Sequence, residues 1–307
     1  MYKLFLLCSL LHPSTRPTGD SALISALLAD IAALQQRETG FYQKGAFATT
    51  RIHVSRPALV QQDNNVFFTG LIGLGLREVR PSLTGVDLAR CDSILQRMQD
   101  VFAPYRNRRG RLTYNFWKTD PPGIFPGDSW LRVLNRSHAL PDDLDDTVIF
   151  LEAMGRHDST QAVKALMEAH AGGPRRAYRG YRRYRRYTAY STWFGKKMPV
   201  DYDASVLCNI LYWVCDHHLP FSRTDSATVG LLRDMIRRGL PVKDPSFASP
   251  HYSRSPVVLY HIGRLLGTFR VPGLDSLKPQ VIAQARETMD RVRDPLDQVL
   301  LATTLLR

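Results

Sequence analysis

Cysteine is scarce in this chain. Four residues in 307, at positions 8, 91, 208 and 215, show no paired spacing of the kind that holds a metal or a disulfide framework. Disulfide scaffolds and zinc modules are set aside on that ground, and reduced structural thiols are expected. Cys215-Asp216-His217-His218 gathers ligand types, but adjacent residues seldom converge on one ion and no second Cys/His pair completes a tetrahedron. Long hydrophobic runs are missing too. No stretch approaches the roughly 18 apolar residues of a membrane-crossing helix, so the expectation is a soluble or peripheral protein, cytoplasmic or at a membrane surface. Residues 1–19 open with a positive charge and a short apolar run, without a clear Ala-x-Ala cleavage site. They read as a signal-like segment or as a packed helix, and secretion stays open.

Convincing runs of alternating apolar and polar residues are also absent, which argues against sheet architectures. Apolar residues instead recur at helical spacing in Ser21–Gln36, Asn64–Val79, Val86–Phe102, Asp142–Met154, Thr160–His170, Tyr202–His218, Ser226–Arg238, Ser255–Phe269, Leu277–Val292 and Pro295–Leu306, with a short segment around Asp128–Asn135. The chain is expected to be all-α, with Arg80-Pro81-Ser82, Leu240-Pro241 and Val271-Pro272-Gly273 as breaks between helices. Medium-length helical hairpins repeated over residues 20–307 fit a single α/α toroid, a barrel of helical hairpins, better than a four-helix bundle.

What the chain has in excess is positive charge. A net +13 and a pI near 9.8, with 44% hydrophobic and 22% charged residues, describe a globular protein drawn to polyanions: nucleic acid, anionic membrane surfaces or phosphorylated substrates. Part of that charge lies in long connections at 38–62, 105–127 and 172–200, and connections of that length commonly serve binding or gating. The first carries Tyr42, Lys44 and Arg51; the second carries Tyr105, Arg106, Tyr114, Phe116, Trp117 and Lys118. The third reads Arg175-Arg176-Ala177-Tyr178-Arg179-Gly180-Tyr181-Arg182-Arg183-Tyr184-Arg185-Arg186-Tyr187, followed by Trp193 and Phe194. Arginine forks match phosphate, and tyrosines stack or pack at interfaces. Nucleic acid ranks below an anionic lipid or diphosphate, because no RRM, KH or zinc-knuckle pattern accompanies the segment.

The chemistry is concentrated in His138-Ala-Leu-Pro-Asp142-Asp143-Leu-Asp145-Asp146-Thr147. Pro141 suits a first helical turn, and acids there complement the positive end of the helix dipole. Capping uses one or two side chains, yet four acids fall in the five positions 142–146. At helical spacing Asp142 shares a face with Asp145 and Asp146, and Asp143 with Asp146. Repulsion raises their pKa values while the dipole lowers them, so either a proton donor or a divalent-cation site could result.

Asp143-Leu144-Asp145-Asp146-Thr147 resembles the Asp-x-Asp-Asp-Thr motif of class II terpene cyclases, in the terpenoid cyclase and protein prenyltransferase superfamily of α/α toroids. The resemblance implies an isomerase or lyase that protonates an isoprenoid double bond and cyclises or isomerises it. Asp145 would be the general acid, with Asp143 and Asp146 as supporting carboxylates. No cofactor is implied for that chemistry. Trp117, Trp130, Trp193 and Phe194 are candidates to line a cavity and stabilise a carbocation. His138 would tune an acid, and Arg182, Arg183, Arg185 and Arg186 would meet an anionic head. The same acids fit the class I pattern Asp-Asp-x-x-Asp through Asp142, Asp143 and Asp146, which would bind magnesium and a diphosphate; its Asn/Asp-Asp-x-x-Ser/Thr-x-x-x-Glu partner motif is absent. Two other classes stay in view. A carbohydrate-active α/α barrel would have to recruit Asp201 or Asp203 as a distant second acid. A non-catalytic toroid would bind lipid, protein or nucleic acid through its basic loop.

Overall fold

A computed structural model describes residues 18–53, 56–122, 140–173, 178, 180–195 and 198–307. Among these, helices predominate and the named strands are one short hairpin, so the helical class expected from periodicity holds. The chain resolves into two compact units, one ending at Arg156 and the other spanning His157–Arg307.

In the N-terminal unit α1 (Thr18–Leu34) is followed by strands β1 (Thr49–His53) and β2 (Arg56–Asp63), then α2 (Phe67–Val79), α3 (Gly85–Met98) and α4 (Leu144–Met154). The antiparallel hairpin, with Thr49 opposite Asp63 and Ile52 opposite Val60, corrects the expectation that the chain holds no strand. The reason is burial. Ile52 and Val60 on one face and Arg51 and Gln61 on the other are exposed, so these pairs offer no dry face to leave an alternating pattern. Helix α4 is the reverse case: every residue from Leu144 to Met154 except Glu152 is buried, as expected of a helix enclosed on all sides. It packs on α2 at Gly70 and Gly73, where an added Cβ would lie 2.8 Å from Phe150 and 2.8 Å from Ala153. The absence of side chains there lets the two helices approach closely.

The C-terminal unit runs α5 (Thr160–Ala169), α6 (Ala204–Asp216), α7 (Arg223–Arg237), two single-turn helices α8 (Leu240–Lys243) and α9 (Pro245–Ala248), α10 (Ser255–Thr268), α11 (Lys278–Met289) and α12 (Pro295–Leu306). Helix α10 packs against α6, α11 and α12. Leu240-Pro241, expected to be a plain break, opens α8, since proline is tolerated in a first turn. The Asp128–Asn135 helix lies outside the described residues, as do Trp130 and His138.

Most long helices start and stop within a few residues of the periodic segments, and the offsets have a common cause. Expected starts at Asp142 and Tyr202 become Leu144 and Ala204 because Asp143 and Asp203 are extended cap residues, at φ −127° and −116°. Each cap accepts amide hydrogen bonds from the first turn instead of joining it. No helix of the described residues is long and apolar enough to cross a membrane. Cys91, Cys208 and Cys215 are free thiols, and burial pushes Cys91 and Cys215 up to about 11, which keeps both protonated.

Candidate functional site

The acidic segment enters α4 under a set of clamps supplied by the connection after α3. Asn115 donates from Nδ2 to the Leu140 carbonyl at 2.7 Å, and the Asp143 amide donates to the Tyr114 carbonyl at 3.1 Å. The Tyr114 amide donates to Thr147 Oγ1 at 3.0 Å, and that hydroxyl donates to the Asp143 carbonyl at 2.6 Å. Asp142 Oδ2 accepts from Asn107 Nδ2 and Thr113 Oγ1, both at 2.5 Å. The Tyr114 ring packs edge-on to Phe150 of α4. This connection therefore fixes where the helix begins. A related contact recurs at Phe47, whose amide donates to Thr69 Oγ1 of α2 at 3.0 Å, and at Tyr190, whose amide donates to Thr228 Oγ1 of α7 at 3.2 Å.

Within this frame the four acids separate into different environments. Asp143 is the N-cap, its Oδ1 accepting from the Asp146 amide at 2.7 Å. Asp143, Asp145 and Asp146 are all buried, and Asp146 is the most enclosed at 1% exposure. Desolvation, followed by the charges of Asp143, Asp145 and Asp142, holds the Asp146 carboxyl well above the ordinary carboxylate range. Its Oδ1 is buried without a hydrogen-bond partner among the described residues. Helix α7 shows what the same position does in a completed cap. There Asp225 reaches back to the Ser222 amide at 2.7 Å, contacts Lys164 Nζ at 2.6 Å and accepts from Tyr190 Oη at 2.8 Å. The third helical residue of α7 is thus neutralised and fully bonded. Its counterpart in α4 sits among like charges.

These environments bear on magnesium. A class I cation site would need Asp142, Asp143 and Asp146 to turn oxygens toward one ion; Asp142 Oδ2 and Asp143 Oδ1 are taken by protein donors, which leaves one oxygen of each, and Asp146 is buried.

The other predicted residues are distributed as follows. Trp117 lies in the same unit as the acids. Its Nε1 donates to Asp63 Oδ1 at 2.9 Å, Phe116 packs against it edge-on, and the Arg51 guanidinium stands 5.5 Å from its ring centroid. The remaining described residues belong to the C-terminal unit. Trp193 meets the His251 ring edge-on, and Phe194 meets His170. Arg182, Arg183, Arg185 and Arg186 form an exposed 3-10 turn. Asp201 Oδ2 lies 2.6 Å from His251 Nε2, while Asp203 is committed to capping α6 and accepting from Ser249 and the His251 amide.

Sequence reasoning missed Asn107, Thr113 and Asn115, and it placed Tyr114 in a binding or gating connection without its clamping role; these residues hold the acidic segment from about 25 to 35 positions away. A partial signal existed: Asn65 precedes Thr69 by the same four positions that separate Asp143 from Thr147, at the entries to α2 and α4. The chain matches no family model, no curated protein and no solved structure.

Proposed function

We propose that the chain is an acid-initiated enzyme of class II terpene-cyclase type, built on a single α/α toroid, that protonates a carbon-carbon double bond of an isoprenoid. The observation that carries this reading is the buried Asp146 carboxyl. Enclosed among three other aspartates, it is held well above the ordinary carboxylate range by burial first and then by the charge of Asp143. A buried cluster of mutually repelling carboxyls with raised proton affinity suits holding a proton for a weakly basic alkene carbon. A solvated carboxylate at pH 7 does not.

In this reading Asp145 is the donor and Asp143 and Asp146 support it. The proton leaves a carboxyl oxygen of Asp145 for one alkene carbon, and the π electrons form the new C–H bond. Positive charge is left on the neighbouring carbon and negative charge on Asp145. Asp146 sets the proton affinity of its neighbour, and Asp143 holds the turn rigid through the Asp146 amide. Aromatic faces would stabilise the cation by roughly 0.5–2 kcal/mol each. Trp117 is the described candidate in the same unit. Loss of a proton from the product cation then restores the acid. An anionic membrane surface would be the source of a hydrophobic substrate.

Incubation with prenyl diphosphates and polyprenyl hydrocarbons, followed by product analysis, tests the reading. Asp145→Asn is expected to abolish turnover while leaving thermal unfolding unchanged. Full activity in that variant removes Asp145 as the acid. Magnesium-dependent release of diphosphate that survives Asp145→Asn replaces the reading with class I chemistry.

A further inference from the structure

The basic segment has a period that its charge conceals. Tyr178, Tyr181, Tyr184, Tyr187 and Tyr190 recur at every third residue, with arginines between most of them. A 3-10 helix stacks residues three apart on one side, so a row of this period seats the segment with its tyrosines inward. The 3-10 turn Arg182–Arg186 does so. Tyr184 is buried with its ring stacked on Phe247 of α9, and the Tyr181 ring also lies on Phe247, at 3.7 Å between centroids. Tyr181 Oη donates to Asp244 Oδ2 at 3.1 Å. Further along, Tyr190 Oη is buried on Asp225, and the Tyr187 carbonyl accepts from Tyr202 Oη at 2.6 Å. The four arginines of the turn are left exposed by this anchoring.

Beside the turn is an open-sided cleft of about 780 Å³ lined by Arg182 and Arg183 of the turn, Arg237 and Arg238 at the end of α7, and Lys243 of α8, with Tyr181, Tyr184 and Leu240. Five cations face one hollow. The two carboxylates nearest the turn and the end of α7 are both occupied: Asp234 by Arg238 at 2.8 Å, and Asp244 by Tyr181 Oη and the Phe247 amide. Among the described residues, Arg182, Arg237 and Lys243 form no ion pair with a carboxylate, and Arg183 shares the charge of Asp234 with Arg238. Gathering five cations around a concavity beside so few carboxylates costs Coulomb energy that folding alone gives no reason to accept. An anion in the cleft removes that cost.

We infer that this cleft is a binding site for a diphosphate group. Arginine forks grip phosphate oxygens in pairs, lysine adds a point charge, and the hollow falls in the size range of small-ligand sites. A diphosphate offers more negative charge and more acceptor oxygens than a monophosphate, so it can engage more of the five cations at once. Diphosphate is also the head of many soluble isoprenoids. The cleft would bind it whether or not Asp145 donates a proton.

The test is a titration of the full chain with inorganic diphosphate, with orthophosphate for comparison, followed by calorimetry. Two double variants, Arg182→Gln with Arg183→Gln and Arg237→Gln with Lys243→Gln, each remove two cleft cations. Arg185→Gln with Arg186→Gln removes the same charge from the same turn outside the cleft. Diphosphate is expected to bind more tightly than orthophosphate, to weaken about tenfold or more in either cleft variant, and to change less than about twofold in the control. The replaced side chains are exposed, so unfolding temperature should stay unchanged and a loss of binding reports the site. Vesicles of phosphatidylcholine with phosphatidic acid identify the source. Vesicle binding that falls in the cleft variants and is displaced by diphosphate supports a lipid headgroup, and diphosphate binding without vesicle binding supports a soluble ligand. Equal losses in cleft and control variants, no diphosphate binding by the wild type, or single-stranded RNA binding that diphosphate cannot displace would each overturn the assignment.

Discussion

The Asp146 amide donates to the Asp143 carboxylate at 2.7 Å, so the residue with the most enclosed carboxyl of the cluster is fixed through its backbone by the acid three positions earlier. The side chain that caps the helix is also the strongest charge, after burial itself, holding the Asp146 proton in place.

That coupling sets a pH dependence. The folded pKa of Asp146 is raised above the ordinary carboxylate range, so the unfolded chain releases this proton first as pH rises. Its contribution to stability is fully present below about pH 4 and is lost on rising through the folded pKa, at up to about 1.4 kcal/mol per unit of separation. Asp146→Asn removes the titration. Relative to the wild type, the Asn variant should therefore gain stability between pH 4 and pH 7.5, as read by urea unfolding at both. A wild-type-minus-variant difference that does not change with pH would show that Asp146 titrates normally.

The cap itself should be measurable. Asp143→Ala deletes the acceptor for the Asp146 amide and is expected to cost about 0.5–2 kcal/mol. Asp143→Asn keeps an acceptor and should lose little of that. It also removes a negative charge beside Asp146, so the pH dependence just described should shrink in the Asn variant while the cap survives.

Gly70 gives a test in which two effects oppose each other. Helix propensity alone predicts that Gly70→Ala stabilises α2 by about 1 kcal/mol. Its Cβ would lie 2.8 Å from Phe150 and 2.9 Å from Ile149 of α4, an overlap expected to cost about 1–3 kcal/mol. Thermal unfolding should show net destabilisation. A stabilised variant would mean that α2 and α4 do not approach this closely.

In the C-terminal unit Lys164 and Asp225 form a buried pair at 2.6 Å, with 8% and 0% side-chain exposure. Lys164→Met leaves Asp225 charged and buried, with Tyr190 and the Ser222 amide as its remaining donors. The expected loss is about 3–5 kcal/mol, checked by chemical denaturation. Replacing Asp225 by Asn together with Lys164→Met should recover part of it, because no unpaired charge remains.

The local information in the chain was enough for the helices and for the existence of the acid cluster. Ala204–Asp216 and Leu144–Met154 are apolar nearly throughout and preceded by aspartates, so period and caps identify them with no neighbour in view. The hairpin at Thr49–Asp63 escaped because Ile52 and Val60 on one face and Arg51 and Gln61 on the other all meet water, and a pattern of burial cannot mark an element that buries little. The tyrosine period was written in the sequence, but its inward side became identifiable only from Phe247, Asp225 and Tyr202 packed against it. Which aspartate has the raised proton affinity was likewise undetermined. Four acids in one turn have similar local surroundings, and desolvation depends on how deeply the fold buries each of them. The residues that hold the segment in place, Asn107, Thr113, Tyr114 and Asn115, are remote along the chain, so only the tertiary structure could separate Asp146 from its neighbours.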